Sequence, residues 1–185
     1  MGRWEPDAVG RLRAAAVELY VERGFDQATV ADIADRAGVT PRTFFRYFAD
    51  KREVLFSGSV DLQNAVVTAL EEAPVTATPQ EAVWAALEAA STMVGQNHDW
   101  SRTRNEIIMA NTELQERELI KLASLAAAMA EGLRVRGVNE PDASLTAELG
   151  IAVFRVAFAR WVAGPANGKL TRTMRHCFAR ARALT

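Results

Sequence analysis

The sequence predicts an all-α protein of about nine helices, with a three-helix amino-terminal unit followed by a larger helical bundle. Three observations carry this. β-Branched residues are scattered among alanines and never alternate with polar ones over a long stretch, so strand periodicity is missing. Apolar residues instead recur three and four apart, as on one face of a helix. Capping residues and Gly/Pro breaks sit where those periodic runs begin and end.

Leu12, Ala15, Ala16, Leu19 and Tyr20 form the apolar stripe of a first helix over 7–23, ended by Gly24 with Phe25 packing back. Thr29 followed by Asp32 resembles a capping box, and Gly38 terminates the short helix over 30–37 that it opens. Thr40 is an N-cap with Pro41 at the first helical position, where a missing N–H costs nothing, which places a third helix over 41–48. Asp50 caps a longer fourth helix that ends at the break from Pro74 to Pro79. Further helices are expected at about 80–97, 100–110, 113–136, 142–163 and 167–183, punctuated by Gly137, Pro141, Gly164 and Pro165.

The chain has 185 residues, 49% of them hydrophobic and 24% charged, the balance of a folding globular protein with a sizeable core. Its net charge of −1, from 22 Lys and Arg against 23 Asp and Glu, makes the whole molecule no magnet for nucleic acid. Distribution matters more: no Lys or Arg lies between Arg52 and Arg102, a stretch holding Asp61, Glu71, Glu72, Glu81, Glu88 and Asp99. If DNA is a partner, this stretch faces away from it. One cysteine excludes an internal disulfide, and two histidines give no cluster at metal-ligand spacing. No apolar run approaches the roughly 20 residues that span a bilayer, and the opening residues hold no signal-peptide hydrophobic region. A cytoplasmic protein without membrane partner, metal or cofactor is expected. The sequence shows no Gly-rich phosphate loop and no Ser/His/Asp arrangement, so it reads as a non-enzyme.

Two short helices joined by a tight turn are the geometry that presents a helix to the DNA major groove. Thr29 and Thr40, at helix starts, are placed to bond phosphate oxygens. Arg42, Thr43, Arg46 and Tyr47 lie opposite Phe44 and Phe48 and are candidates for base and backbone contact; Lys51 and Arg52 come next in the chain and can neutralise phosphates. The same local pattern also fits a solvated polar face.

The run from Thr29 through Ala37-Gly38-Val39, Thr40-Pro41-Arg42-Thr43-Phe44-Phe45-Arg46-Tyr47-Phe48 to Lys51 and Phe56 closely resembles the DNA-binding domain of the TetR family, over about residues 8–56. The resemblance implies a three-helix DNA-binding domain (1–56) and a ligand-binding and dimerisation domain (57–185) joined through helix four. It also implies that Thr29, Pro41, Arg42, Thr43, Phe45, Tyr47 and Lys51 occupy DNA-contact positions. Two residues depart from the family pattern. Phe45 stands where Tyr is usual, losing a phenol-to-phosphate bond, and Tyr47 stands where His is usual, with a hydroxyl that replaces the lost one.

The carboxy-terminal part is similar to that of acyl-CoA-responsive TetR regulators. Trp84, Met93, Trp100, Ile107, Ile108, Met109, Leu122, Leu125, Met129, Phe154 and Phe158 are candidates for an apolar cavity, with Arg102 or Arg104 near an anionic head group; each apolar one also fits plain core. Leu145, Leu149, Val153 and Val156 form one stripe, and Leu170, Met174 and Cys177 another, together the expected homodimer seam; an intramolecular role also fits. Lys169, Arg172, Arg175, Arg180 and Arg182, with no acid among them, make a solvated face, a site near a ligand phosphate, or a membrane-touching surface. The expected function is that of a dimeric, sequence-specific transcriptional regulator, a repressor released from a palindromic operator by a small hydrophobic or acyl-CoA-like effector. The alternative is a constitutive helical protein-interaction module without inducer, which would bind no DNA.

Overall fold

The computed structural model describes residues 7–184; the expectation that no signal-peptide stretch occupies residues 1–6 lies outside them. Among the described residues there are nine helices and no strand: α1 (Ala8–Arg23), α2 (Val30–Arg36), α3 (Pro41–Tyr47), α4 (Ser59–Glu71), α5 (Pro79–Val94), α6 (His98–Met109), α7 (Thr112–Val135), α8 (Asp142–Val162) and α9 (Leu170–Arg182). None is long and apolar enough to cross a membrane.

Local chemistry sets the first three. The Asp7 carboxylate accepts from Gly10 N at 2.8 Å to open α1. The Thr29 hydroxyl accepts from Asp32 N at 3.1 Å, while the Asp32 carboxylate accepts from Thr29 N at 3.1 Å, a complete capping box made with Asp in place of Glu. α2 ends in a Schellman turn: Val39 N donates to Ala34 O at 2.9 Å and Gly38 N to Asp35 O at 3.0 Å. Gly38 takes φ +68°, a conformation that an L side chain rarely adopts. Thr40 then caps α3 through Thr43 N at 3.2 Å.

The fourth helix starts later than its capping signal. Asp50 does accept from Arg52 N at 2.8 Å and Glu53 N at 3.1 Å, yet the next residues form a run of turns closed by bonds such as Leu55 N to Arg52 O. Gly58, at φ +92°, then interrupts the backbone before α4 begins at Ser59.

The chain divides into two compact units. The first comprises its residues up to Ser57 together with Thr103–Glu116. Its core gathers Leu12, Leu19, Ile33, Phe44, Val54 and Phe56 with Ile107, Ile108 and Leu114 from the downstream segment. The second comprises Gly58–Arg102 and Arg117–Thr185, with a core around Leu70, Leu87, Met129, Leu133, Ile151 and Met174. Within it, Gly150 lets α8 approach α5 closely, since a Cβ there would lie 2.6 Å from Val83 Cγ1. The first turn of α6 collects carbonyls left at the ends of other helices: His98 Nε2 lies 3.1 Å from Trp161 O, Arg102 Nε donates to Val162 O at 3.0 Å, and Ser101 Oγ to Val94 O at 3.1 Å.

Candidate nucleic-acid interface

Helix α3 is anchored from beneath. Phe44 is fully buried and Phe48 nearly so, their rings 5.4 Å apart, which fixes the rotation of a helix only seven residues long. That rotation leaves Pro41, Arg42, Phe45, Arg46 and Tyr47 exposed, and Thr29 and Thr40 exposed at the starts of α2 and α3. Thr43 is half-buried, its hydroxyl 3.1 Å from that of Thr40.

Arg46 and Tyr47 form a pair. Arg46 Nη2 donates to the Tyr47 hydroxyl at 2.7 Å, and the guanidinium lies 4.7 Å from the centre of the Tyr47 ring. The phenol oxygen is used as acceptor, so its proton remains available for donation to a further oxygen.

Lys51 is placed differently from its neighbours. Its Nζ donates to Phe25 O at 2.8 Å, Ala28 O at 3.0 Å and Asp26 O at 3.2 Å, and sits 4.4 Å from the centre of the Phe25 ring. An ammonium has three protons, and here all three go to the loop between α1 and α2. The expected direct phosphate contact therefore gives way to a clamp that fixes this loop, still bringing positive charge near α2. Tyr20 joins the clamp by donating to Lys51 O at 2.6 Å; burial, reinforced by the Asp50 charge, pushes its phenol pKa well up, so it stays a donor. The Arg52 hydrogen bond holds the Asp50 carboxyl below its ordinary range, and Arg52 also reaches Glu113, so Arg52 is committed to acids in this unit.

Residues 12–57 match the sequence model of the family described as "Bacterial regulatory proteins, tetR family". That match lies within the first unit and takes in α2 and α3. The chain is 39% identical over 79 residues to the HTH-type transcriptional regulator TcmR of Streptomyces glaucescens, a match spanning 43% of this chain and 35% of that relative's length. It is 26% identical over 155 residues to the fatty acid metabolism regulator protein of Bacillus subtilis, covering 80% of each. Its fold is shared with FadR from Bacillus subtilis in complex with stearoyl-CoA, at a TM-score of 0.59 and 22% identity, over 93% of this chain and 96% of that one.

The residues expected around a ligand fall into two sets. Ile107 and Ile108 lie in the core of the first unit, and Arg104 Nε donates to Leu55 O at 2.8 Å with its guanidinium 5.1 Å from the Phe56 ring centre. Leu125, Met129 and Phe154 are buried in the second core, Trp84, Leu122 and Phe158 pack at its edge, Trp100 is half-buried and Met93 exposed. The residues expected at a dimer seam also separate. Leu170, Met174 and Cys177 are buried inside their own chain and offer nothing to a partner, and Val153 is half-buried against the same core. Leu145, Leu149 and Val156 are 57%, 56% and 54% exposed.

Ala152 and Ala159 are exposed and continue Leu145, Leu149 and Val156 in alternating steps of four and three, a heptad signal present in the sequence. A cleft of about 340 Å³ in the first unit, lined by Tyr20, Phe25, Gln27, Ile107 and Asn111 among others, was unforeseen.

Proposed function

We propose that the chain is a dimeric, sequence-specific transcriptional repressor that binds a near-palindromic operator through α3 and leaves it when an apolar or acyl-CoA-like effector binds. The observation that carries the DNA part is the outward face of α3, where Arg42, Phe45, Arg46 and Tyr47 project from a helix locked by Phe44 and Phe48. Arg42 reads guanine bidentately, the Tyr47 hydroxyl and those of Thr29 and Thr40 meet phosphates, and Thr43 lies where a thymine methyl is reached.

Dimerisation is supported by the exposed seam on α8. Pairing two copies antiparallel about Ala152 sets Leu145 against Ala159 and Leu149 against Val156, and brings Glu148 of one subunit beside Arg155 of the other, twice by symmetry. The effector reading is supported by the relative named for fatty acid metabolism and by the FadR complex with stearoyl-CoA. The aromatic cluster of the second unit, with Trp84 4.8 Å from Phe178 and Phe158 6.0 Å from Trp161, is the apolar lining proposed to take the chain. Release requires only that the effector prefer the conformation that DNA does not; linkage then demands that operator weaken effector binding by the same factor.

The test is a gel shift with DNA flanking the protein's own gene, with and without acyl thioesters and small hydrophobic compounds. Retarded DNA freed by one compound class supports the reading, and no retardation of any fragment rejects it. Arg42→Ala is expected to cost about 1 to 3 kcal/mol on the true site and little on random DNA. Equal losses on both would reassign Arg42 to phosphate.

A further inference from the structure

The outward surface of α3 consists of two parallel rows. Pro41 and Phe45, four residues apart, form an apolar row; Arg42 and Arg46, one residue on from each, form a cationic one. Phe45 is 58% exposed, its ring edge-on to buried Phe44 with centroids 5.5 Å apart. It carries no donor or acceptor, so it bonds neither a phosphate nor the polar edge of a base. The one apolar group that the four base pairs display in the major groove is the C5-methyl of thymine. From these rows we infer that Phe45 is a specificity-determining residue that reads a thymine by enclosing its 5-methyl group, with Pro41 completing the apolar row.

The inference rests on the proposed DNA-binding function and adds what that function does not specify: which base lies opposite this part of α3. The neighbouring row is already occupied with polar work, since Arg46 is bonded to Tyr47. The two rows thus divide the groove between them, guanidinium against acceptor edges and phenyl against methyl. Burying one methyl group is worth about 0.8 kcal/mol, which converts to about fourfold in affinity for each half-site.

The experiment starts from a random-sequence duplex pool, from which the full-length protein selects a consensus. Each thymine of that consensus is then replaced singly by deoxyuridine, which removes the methyl and leaves every hydrogen-bonding group in place. Binding is followed by fluorescence anisotropy. The expected result is one thymine per half-site, besides any that Thr43 contacts, at which uracil weakens binding about fourfold. Phe45→Ala weakens the thymine duplex and binds the thymine and uracil versions alike, whereas Phe45→Tyr, which keeps the ring, keeps the discrimination. Because the side chain is exposed, both variants should melt with the wild type, which a thermal scan checks. Wild type indifferent to every uracil, a consensus without thymine, or Phe45→Ala retaining the fourfold preference overturns the inference while leaving sequence-specific binding intact. Failure to select any sequence overturns the DNA-binding reading itself, and the inference with it.

Discussion

Replacing Lys51 by Met keeps most of the aliphatic stem and deletes the ammonium that three carbonyls share. A hydrogen bond to a charged group contributes about 1.5 to 3 kcal/mol, but the three here share one desolvation and the side chain is only half-buried, so their sum is far less than threefold. Loss of the ring contact with Phe25 adds about 0.5 to 1 kcal/mol. A total near 2 kcal/mol is expected, about thirtyfold in the opening equilibrium of the first unit. Hydrogen exchange read by mass spectrometry resolves it, because peptides from 12–48 should exchange faster while those from 145–160 stay unchanged. Lys51→Arg separates geometry from charge. A planar guanidinium cannot converge on three carbonyls as an ammonium does, so this variant should open more readily and yet keep the salt dependence of DNA binding. A direct phosphate contact predicts the opposite pattern: stability within about 0.5 kcal/mol of wild type for Lys51→Met, with the salt slope reduced by about one. That outcome would refute the clamp.

Leu149→Asp should convert a dimer into a monomer at micromolar concentration by sedimentation, while Met174→Asp, at a side chain already buried in its own core, should unfold the second unit. A monomeric wild type would remove the α8 seam. Gly150→Ala should cost about 1 to 3 kcal/mol in urea denaturation, because the added methyl meets Val83 at 2.6 Å and Leu87 at 3.3 Å; a neutral result means that the helices separate freely. The Asp50 carboxyl is held below its ordinary value of 3.8 by Arg52, so its contribution is complete at neutral pH and is lost as the pH falls from that value through the lowered one. Asp50→Asn keeps an oxygen for Arg52 N and Glu53 N but loses the charge. It should lower stability at pH 7 by about 0.2 to 1 kcal/mol and flatten the acid limb of the unfolding profile; an unchanged acid limb would show that other carboxylates govern it.

The first three helices and the exposed face of α3 were legible because their determinants are local. Thr29 with Asp32, Gly38, and Thr40 with Pro41 act within a few residues of themselves, and Phe44 and Phe48 fix the rotation of α3. The start of α4 was not, since Asp50 is a true cap whose turns fail to propagate into a helix before Gly58. Nor was the Lys51 clamp, whose carbonyls lie 23 to 26 residues upstream and converge only in three dimensions. The stripes on α8 and α9 looked alike in sequence. α8, however, carries apolar residues on two faces: Ala147, Ile151 and Phe154 face its own core, while Leu145, Leu149 and Val156 are left outside. α9 has one such face, with Leu170, Met174 and Cys177, and spends it internally.

The composition of the first unit has a consequence for the order in which a growing chain can fold. Ile107, Ile108 and Leu114 are 7%, 0% and 0% exposed, and they are synthesised some fifty residues after the helices whose core they fill. At about 5 to 20 residues per second, the ribosome leaves α1 to α3 without that cover for several seconds. During that interval the apolar surface that these three residues complete is open to other nascent chains. A fragment ending near Ser57 prolongs the interval indefinitely. Expression of the reading helices as a soluble module therefore calls for Thr103–Glu116 to be supplied with them, by a linker or as a separate peptide.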